Sequence, residues 1–102
     1  MLFVLLGRYD PATMTGNLER EGEVMESPPE GIEVVARYTR VGGRGGFIHI
    51  VKADNAGQLA ALLLRFVGLV EYEVIPIVEI TGTMGVELAE KYLGDVPMHG
   101  PV

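Results

Sequence analysis

The stretch IEVVARYTRVGGRGGFIHIV, residues 32–51, decides the fold. Its two ends, 32–41 and 47–51, are rich in β-branched and aromatic residues, and the five residues between them include four glycines. This pattern predicts two strands joined by a hairpin loop, because glycine accepts the positive φ angles that such loops need. A glycine loop that cradles phosphate leads from a strand into a helix, whereas this one leads into a strand. We therefore interpret it as a hairpin loop.

Two elements are predicted before the hairpin. Leu2–Leu6 is apolar without alternation, which is typical of a central strand that is buried on both faces. Asp10 followed by Pro11 predicts the start of a helix, since Asp caps a helix and Pro tolerates its first position. The helix should end near Glu26, before Ser27 and two prolines. Its expected apolar stripe contains Met14, Leu18 and Met25.

Three elements are predicted after the hairpin. Asp54 or Asn55 is expected to cap a second helix that ends near Val67, and Asn55 and Gln58 are spaced as a capping box. Glu71–Ile80 alternates as a fourth strand, and Pro76 places this strand at a sheet edge because proline cannot donate a ladder hydrogen bond. Met84–Leu93 forms a short amphipathic helix. We expect this last helix to cover the outer face of the second helix, which carries Ala60, Leu64 and Val67.

The order strand, helix, strand, strand, helix, strand is the ferredoxin-like βαββαβ pattern of an α+β protein with a four-stranded antiparallel sheet. Residues 1–80 should form this domain, and residues 81–102 a C-terminal helix and tail of the same domain. Two helices can cover one face of such a sheet, and the first strand is apolar on both faces. We therefore expect a homodimer, or a higher even-numbered oligomer, that covers the second face.

Composition excludes several classes of function. A chain of 102 residues has room for one domain. A net charge of −6 and a pI near 4.8 argue against a nucleic-acid partner, because phosphate binding needs clustered Lys and Arg. The absence of cysteine excludes disulfides and thiolate metal sites and fits a reducing compartment. No apolar run is long enough to span a bilayer, and the apolar start is too short for a signal peptide. We expect a cytoplasmic protein with no membrane partner.

Four segments carry a resemblance to a known family. They are Leu2–Arg8, the hairpin end Gly45–Phe47, the helix entry Ala53–Asn55 and the stretch EYEVIPIVE at 71–79. With these segments the chain resembles the dimeric α+β barrel superfamily, and more narrowly a family of short proteins catalogued only as a domain of unknown function. The resemblance covers about residues 1–80 and implies two ferredoxin-like subunits packed sheet to sheet. The superfamily includes cofactor-independent monooxygenases, lactone isomerases and haem-handling enzymes, and many members have no known activity.

His49 is the leading candidate for a functional residue, because an imidazole on an apolar strand is costly without a partner. If Ile48 and Ile50 face the helices, then His49 lies on the bare side of the sheet together with Phe47 and Val51. A regular hairpin register would place Arg37 and Thr39 beside it. On the first strand the same face would carry Tyr9, with Gly7 leaving a gap. The predicted ligand-binding residues are Tyr9, Arg37, Thr39, His49 and Glu73.

Three functions fit this predicted site. The first is a non-enzymatic or uncharacterised homodimer that holds a small organic ligand in a mostly apolar cavity on the sheet face. The second is a cofactor-independent monooxygenase or isomerase, with His49 as general base, Arg37 stabilising an anion and Tyr9 orienting the substrate. The third is haem binding through His49, which has no further pattern in its favour. No cofactor and no metal site are predicted, since only two histidines are present and carboxylate spacing gives no ligand set.

A purely structural role for the same residues is favoured over a catalytic one. In that interpretation His49 and Arg37 make only structural contacts across the sheet or the dimer interface, and Glu73 or Glu79 supplies the counter-charge. His99 lies near the end of the tail and is expected to be solvated. The carboxylates of the first helix are expected to form its solvated face; they are Glu19, Glu21, Glu23 and Glu26.

Overall fold

The computed structural model describes residues 1–93, which contain four strands and three helices. The strands are β1 (Leu2–Arg8), β2 (Glu33–Thr39), β3 (Phe47–Lys52) and β4 (Glu71–Ile77). The helices are α1 (Met14–Glu26), α2 (Ala56–Leu63) and α3 (Met84–Leu93). Short 3-10 turns precede α1 at Pro11–Thr13 and follow α2 at Leu64–Phe66. The end of the predicted tail, with His99, lies outside the described residues.

The four strands form one antiparallel sheet in the order β2-β3-β1-β4. This order, with the helices between the strands, confirms the predicted α+β class and is consistent with the ferredoxin-like fold. β1 is central, as its unbroken apolar sequence predicted. β4 is an edge strand, which is where a strand that contains Pro76 can lie without losing a ladder hydrogen bond.

Side-chain caps form at the predicted residues: Asp10 caps the 3-10 turn that precedes α1, and Asn55 caps α2. The Asp10 carboxylate accepts a hydrogen bond from the Ala12 backbone N–H at 3.0 Å, immediately before Pro11. The Asn55 side chain accepts from the Gln58 N–H at 3.0 Å, and the Gln58 side chain accepts in return from a backbone N–H at 2.7 Å. These contacts satisfy N–H groups that have no partner inside a helix.

The β2–β3 hairpin has the register that the sequence predicted. Arg37 lies opposite His49, and Thr39 lies opposite Phe47. The Arg40 N–H donates to the Gly46 carbonyl oxygen at 2.9 Å and closes the loop. Three residues of this loop have positive φ angles, and all three are glycines. The register is therefore set by a loop whose backbone only glycine adopts without strain.

The hydrophobic core lies between one face of the sheet and the pair α1 and α2. The sheet contributes Phe3, Leu5, Phe47 and Val51. The helices and their flanking segments contribute Val24, Met25, Ile32, Leu59, Leu62, Phe66 and Val70. All of these side chains are buried.

The opposite face of the sheet, which we call the open face, is also apolar. It carries Leu2, Val4, Leu6, Ile48, Ile50, Ile75 and Ile77, and each of them is half-buried. The expectation that the first strand is buried on both faces is therefore wrong for a single chain. Burial along β1 alternates, because α1 and α2 cover only one face.

The helix α3 does not cover α2. None of the residues of α3, Met84–Leu93, is buried, and on the outer side of α2 Leu64 is 68% and Val67 is 70% exposed. The expectation that α3 packs there is therefore wrong within one chain. Among residues 1–93 no helix combines the length and the apolar character that crossing a bilayer requires.

Candidate functional site

His49 lies in the middle of β3 on the helix-covered face of the sheet, where it is fully buried. Its ring stacks on Phe47 at a centroid distance of 5.5 Å and lies 5.9 Å from the ring of Tyr72. The expectation that Phe47, His49 and Val51 occupy the bare face is wrong. Both faces of β3 are apolar in sequence, so alternation alone could not show which face the helices cover.

The partner of His49 is Glu21 of α1. The Glu21 carboxylate contacts His49 Nε2 at 2.8 Å, and it accepts two hydrogen bonds from Arg37, one of them from Nε at 2.9 Å. Arg37 also donates from Nη1 to Glu26 at 2.6 Å. These four residues, which we call the Glu21 cluster, join α1 to β2 and β3. The predicted solvated face of the first helix is therefore wrong for Glu21, whose side chain is only 10% exposed.

The protonation states of the cluster follow from burial and pairing. Burial would raise the pKa of Glu21, but the hydrogen bonds and charges of Arg37 and His49 outweigh it and lower that pKa. Burial lowers the pKa of His49 more than the neighbouring carboxylate raises it. His49 is therefore neutral at pH 7, as the sequence argument expected, and Glu21 is ionised. Hydrogen bonds to two carboxylates raise the pKa of Arg37, which stays charged.

The 2.8 Å contact also assigns the tautomer of His49. Because an ionised carboxylate only accepts hydrogen bonds, the proton of the neutral ring lies on Nε2 and points at Glu21. Nδ1 is then an acceptor, and the Tyr72 hydroxyl lies 3.4 Å from it. Burial and the charge of Glu21 raise the pKa of Tyr72, so this hydroxyl keeps its proton. Both ring nitrogens of His49 thus face a matching group.

The ring of Tyr72 also occupies the space above Gly7. A Cβ atom built on Gly7 would lie 2.6 Å from Tyr72 Cε1 and 3.0 Å from a methyl group of Val70. The gap predicted at this glycine is therefore filled, and the expectation of a cavity over β1 is wrong. Gly7 is needed because the aromatic ring approaches the strand closely.

Asn17 is a second buried polar residue on α1, one helical turn before Glu21. It is fully buried, and its amide nitrogen donates to the Thr13 hydroxyl at 2.8 Å. Its Oδ1 atom has no hydrogen-bond partner among residues 1–93. A buried amide oxygen without a partner costs about 1–3 kcal/mol. The inner face of α1 is therefore polar along its first two turns and apolar only at Val24 and Met25.

A hollow of about 350 Å³ opens beside the cluster, between α1 and the end of the β2–β3 hairpin. We call it the α1 hollow; it is lined by Leu18, Glu21, Arg37, Tyr38, Thr39 and Phe47. Thr39 lies at its rim, with its hydroxyl donating to the Gly46 carbonyl at 3.2 Å. His49 lies behind this lining and is closed off by Phe47 and Glu21.

The structure brings three of the five predicted ligand-binding residues together and separates the other two. Arg37 and His49 meet through Glu21, and Thr39 lies close by on β2. Tyr9 is buried on the same side of the sheet, but it packs edge-on against Phe47, and the ring of Phe47 lies between Tyr9 and His49. Glu73 is exposed on the open face opposite Leu6, so it cannot pair with His49.

Comparison with protein families matches residues 1–91 to the model of a family described as a domain of unknown function (DUF3303). The chain belongs to the DUF3303 family. Searches of curated proteins and of solved structures find no match to it. The resemblance to a domain of unknown function is therefore confirmed, and the family description names no activity.

In this DUF3303 chain the cluster has the components of an acid–base site, but its groups are already paired. A carboxylate that fixes the tautomer of a histidine is the arrangement that general-base catalysis uses. Here the base nitrogen, Nδ1, faces Tyr72 instead of open space. Within residues 1–93 no three His, Asp or Glu side chains are grouped so as to hold a metal ion.

Sequence reasoning missed Glu21, Glu26 and Tyr72 as partners of His49 and Arg37 in the DUF3303 site, and it missed Asn17 as a buried residue of α1. A signal for Glu21 was present in the spacing of the first helix. Counting back from the apolar pair Val24 and Met25 by three, four, seven and eight residues gives Glu21 and Asn17 as the inner face. The predicted apolar stripe is wrong at Met14 and Leu18, which are exposed, and correct at Met25, which is buried.

Proposed function

We propose that this chain is one half of a homodimer that binds a small, largely apolar organic molecule in the α1 hollow. The observation that carries the ligand proposal is the composition of that hollow. Leu18 and Phe47 supply apolar and aromatic surface, while Glu21 and Arg37 supply polar atoms at one side. A volume of about 350 Å³ lies at the small end of the range for ligand sites.

Binding is favoured over catalysis because the Glu21 cluster has few free groups. His49 is fully buried, and each ring nitrogen has a partner. Arg37 directs its Nε, Nη1 and Nη2 atoms at carboxylates. A ligand in the hollow would meet a fixed Glu21–Arg37 pair, which can orient one polar group of the ligand without any rearrangement.

The open face supports the homodimer. Its cross-strand rows run Ala36–Ile50–Val4–Ile75 and Tyr38–Ile48–Leu6–Glu73, so its centre is entirely aliphatic. Four strands about 4.8 Å apart and about 20 Å long present on the order of 400 Å². A standard interface covers about 800 Å² on each partner. The exposed apolar side chains after β4 can supply the difference; they are Val78, Ile80, Val86 and Leu93.

Sedimentation equilibrium tests the pairing. We expect the wild-type chain to be a dimer at micromolar concentration, and we expect Ile50→Glu to be a monomer, because a charge at the centre of the open face would be buried. Leu64→Glu on the exposed side of α2 is the matched control and should remain dimeric. A folded wild-type monomer, or an equal effect of the two variants, would contradict the pairing.

The ligand proposal is tested by NMR titration with indole and phenol as probes. Their addition should shift the backbone amides of Tyr38, Thr39 and Phe47 with saturation at millimolar concentration. Leu18→Trp should abolish these shifts by filling the hollow, whereas Leu64→Trp, which adds the same ring to an exposed site, should not. Absence of saturable shifts, or unchanged binding by Leu18→Trp, would refute the proposal.

We also propose that the protein works in the cytoplasm. The absence of cysteine supports this proposal, since such a chain neither needs nor gains disulfides from an oxidising compartment. Fractionation of cells that make the tagged full-length protein tests it. Recovery of the protein with the membrane or the secreted fraction would contradict it.

A cofactor-independent monooxygenase or isomerase that uses His49 and Arg37 is the second candidate function. The observation that favours it is the Glu21–His49–Tyr72 series, in which the carboxylate orients the imidazole with Nδ1 free of its own proton. Catalysis would need the Tyr72 ring to move and expose Nδ1. Diethyl pyrocarbonate should then modify His49 at a rate close to that of free histidine, whereas the binding proposal predicts slow modification.

A further inference from the structure

A second, larger hollow lies at the end of the sheet where β1 ends, the β2–β3 hairpin turns and β4 begins. Its volume is about 1040 Å³, and it is open to solvent. Its lining includes Arg8, Arg40 and Arg44, together with Tyr9 and Gly45. We call it the arginine hollow. It is separate from the α1 hollow, because the two share no lining residue.

The charge of the arginine hollow is opposite to that of the whole chain. The chain has 8 Lys and Arg against 14 Asp and Glu. The arginine hollow has three arginines against two carboxylates, Asp10 and Glu71. The Asp10 carboxylate already accepts the hydrogen bond that caps the turn before α1. Cations are therefore concentrated here in an otherwise acidic protein.

The three arginines are not used in ion pairs within the part of the chain that the structure describes. The four ion pairs among residues 1–93 involve Arg37, His49 and Lys52. Arg8 lies opposite Glu71 in the sheet register but forms no ion pair with it. A guanidinium group presents several donors in a plane that fits the two oxygens of a carboxylate or a phosphate. Three such groups around one hollow have no structural partner in the described fold.

Local geometry fixes the floor and walls of this hollow. The hydroxyl end of Tyr9 lies against Gly45, where a Cβ atom would be 2.9 Å from the tyrosine oxygen. Gly45 has a φ of 81°, so the loop reaches this conformation without strain. The Tyr9 ring is held edge-on to Phe47 at 5.0 Å. Pro11, Leu69 and Val70 add apolar surface to the lining.

We propose that the arginine hollow binds a small organic anion, with a phosphate or carboxylate group on Arg8, Arg40 and Arg44 and an apolar body against Pro11 and Leu69. The apolar surface of Pro11 and Leu69 beside the arginines favours an anion with an organic part. A long polyanion is disfavoured, because the net charge of −6 repels it while a small anion meets only the local cations.

An NMR titration of the full-length chain at low salt tests this site, with phenyl phosphate, inorganic phosphate and phenol as probes. Phenyl phosphate should shift the Nε–Hε signals of all three arginines and the amide of Gly45, with saturation. Inorganic phosphate should give the same shifts with weaker affinity, since it lacks the apolar body. Phenol should leave the arginine signals unchanged, because it lacks the anionic group.

Arginine variants distinguish a specific binding site in the hollow from general attraction between the anion and positive charges on the protein. Arg40→Gln and Arg44→Gln should each weaken phenyl phosphate binding by about tenfold, the size of one lost charged hydrogen bond. Arg65→Gln removes the same charge from an exposed position outside the hollow and should change the affinity less than twofold. Should Arg40→Gln perturb the fold through its contact with the hairpin, Arg44→Gln still decides the question.

Three results would overturn the proposal. The first is an equal loss of affinity in Arg65→Gln and Arg44→Gln. The second is a lack of saturation by phenyl phosphate up to about 20 mM. The third is tighter binding of a single-stranded ten-nucleotide thymidine oligomer than of phenyl phosphate, which would assign the hollow to nucleic acid. Each result is independent of indole binding in the α1 hollow.

Discussion

The Glu21→Gln substitution tests the energetic role of the Glu21 cluster. It keeps the shape of the side chain but removes the charge that receives three hydrogen bonds, two from Arg37 and one from His49. A glutamine oxygen can replace the acceptor for two of these bonds. Its amide nitrogen would then meet a guanidinium nitrogen, donor against donor, and Arg37 would turn toward water.

The magnitude follows from the strength of the bonds and the exposure of their partners. A hydrogen bond to a charged group contributes about 1.5–3 kcal/mol, against about 0.5–1.5 kcal/mol for a neutral one. Two such conversions and the complete loss of the third bond set an upper limit of about 6 kcal/mol. Hydration of Arg37, whose side chain is 34% exposed, and relief of burying the carboxylate reduce this figure. We therefore expect a loss of about 2 kcal/mol in the free energy of unfolding.

Urea denaturation at about pH 7 and fixed protein concentration measures this loss. Thermal melting should show a decrease of about 8–16 °C for a chain of this length. The matched control is Glu23→Gln, which removes the same charge from the exposed side of the same helix and should change stability by less than about 0.5 kcal/mol. Equal effects of the two substitutions would refute the conclusion that Glu21 holds α1 on the sheet.

Three further predictions concern neighbouring groups. Folding lowers the pKa values of His49 and Glu21 from 6.5 and 4.5, so the unfolded chain binds more protons in acid and wild-type stability should fall as the pH decreases below about 6.5. The His49→Gln variant should lose the part of this fall that lies at the higher pH values. A pH profile of the variant identical to that of the wild type would contradict the assignment. Asn17→Leu should raise the free energy of unfolding by about 1 kcal/mol, because it removes a buried oxygen without a partner; a loss of stability would show that the amide is needed. Gly7→Ala should lower the free energy of unfolding by about 1–3 kcal/mol, because the added methyl group clashes with the ring of Tyr72. Gly16→Ala should leave the stability unchanged or raise it, because a Cβ atom at this position meets nothing within 4 Å. Similar urea midpoints for the two variants would contradict the packing over β1.

Much of the fold could be predicted because its signals are local. The caps at Asp10 and Asn55, the glycine loop and Pro76 each act through the backbone of their own segment. The hairpin register followed from the loop, and it placed Arg37 opposite His49 as expected. Such features need no knowledge of distant packing, so the element order and the edge position of β4 were accessible.

The face that the helices cover could not be predicted, because β3 is apolar on both sides. Phe47 and Val51 alternate with Ile48 and Ile50, and either pair satisfies the same pattern. The helix-covered side is the one on which His49 contacts Glu21, a partner 28 residues away in the sequence. Helical spacing from Val24 and Met25 distinguishes Glu21 from the solvated carboxylates of the same helix, but its pairing with Arg37 and His49 is visible only in the tertiary structure.

Pairing of two chains through the open face is the central claim, and an isotope-filtered NOE experiment on a mixture of labelled and unlabelled protein tests it most directly. We predict intermolecular NOEs between the methyl groups of Val4, Ile48, Ile50 and Ile75. These side chains are half-buried in one chain and would lie at the centre of the interface. Intermolecular NOEs that come instead from Leu64, in the 3-10 turn after α2, or a dimer without NOEs from the open face, would contradict the claim.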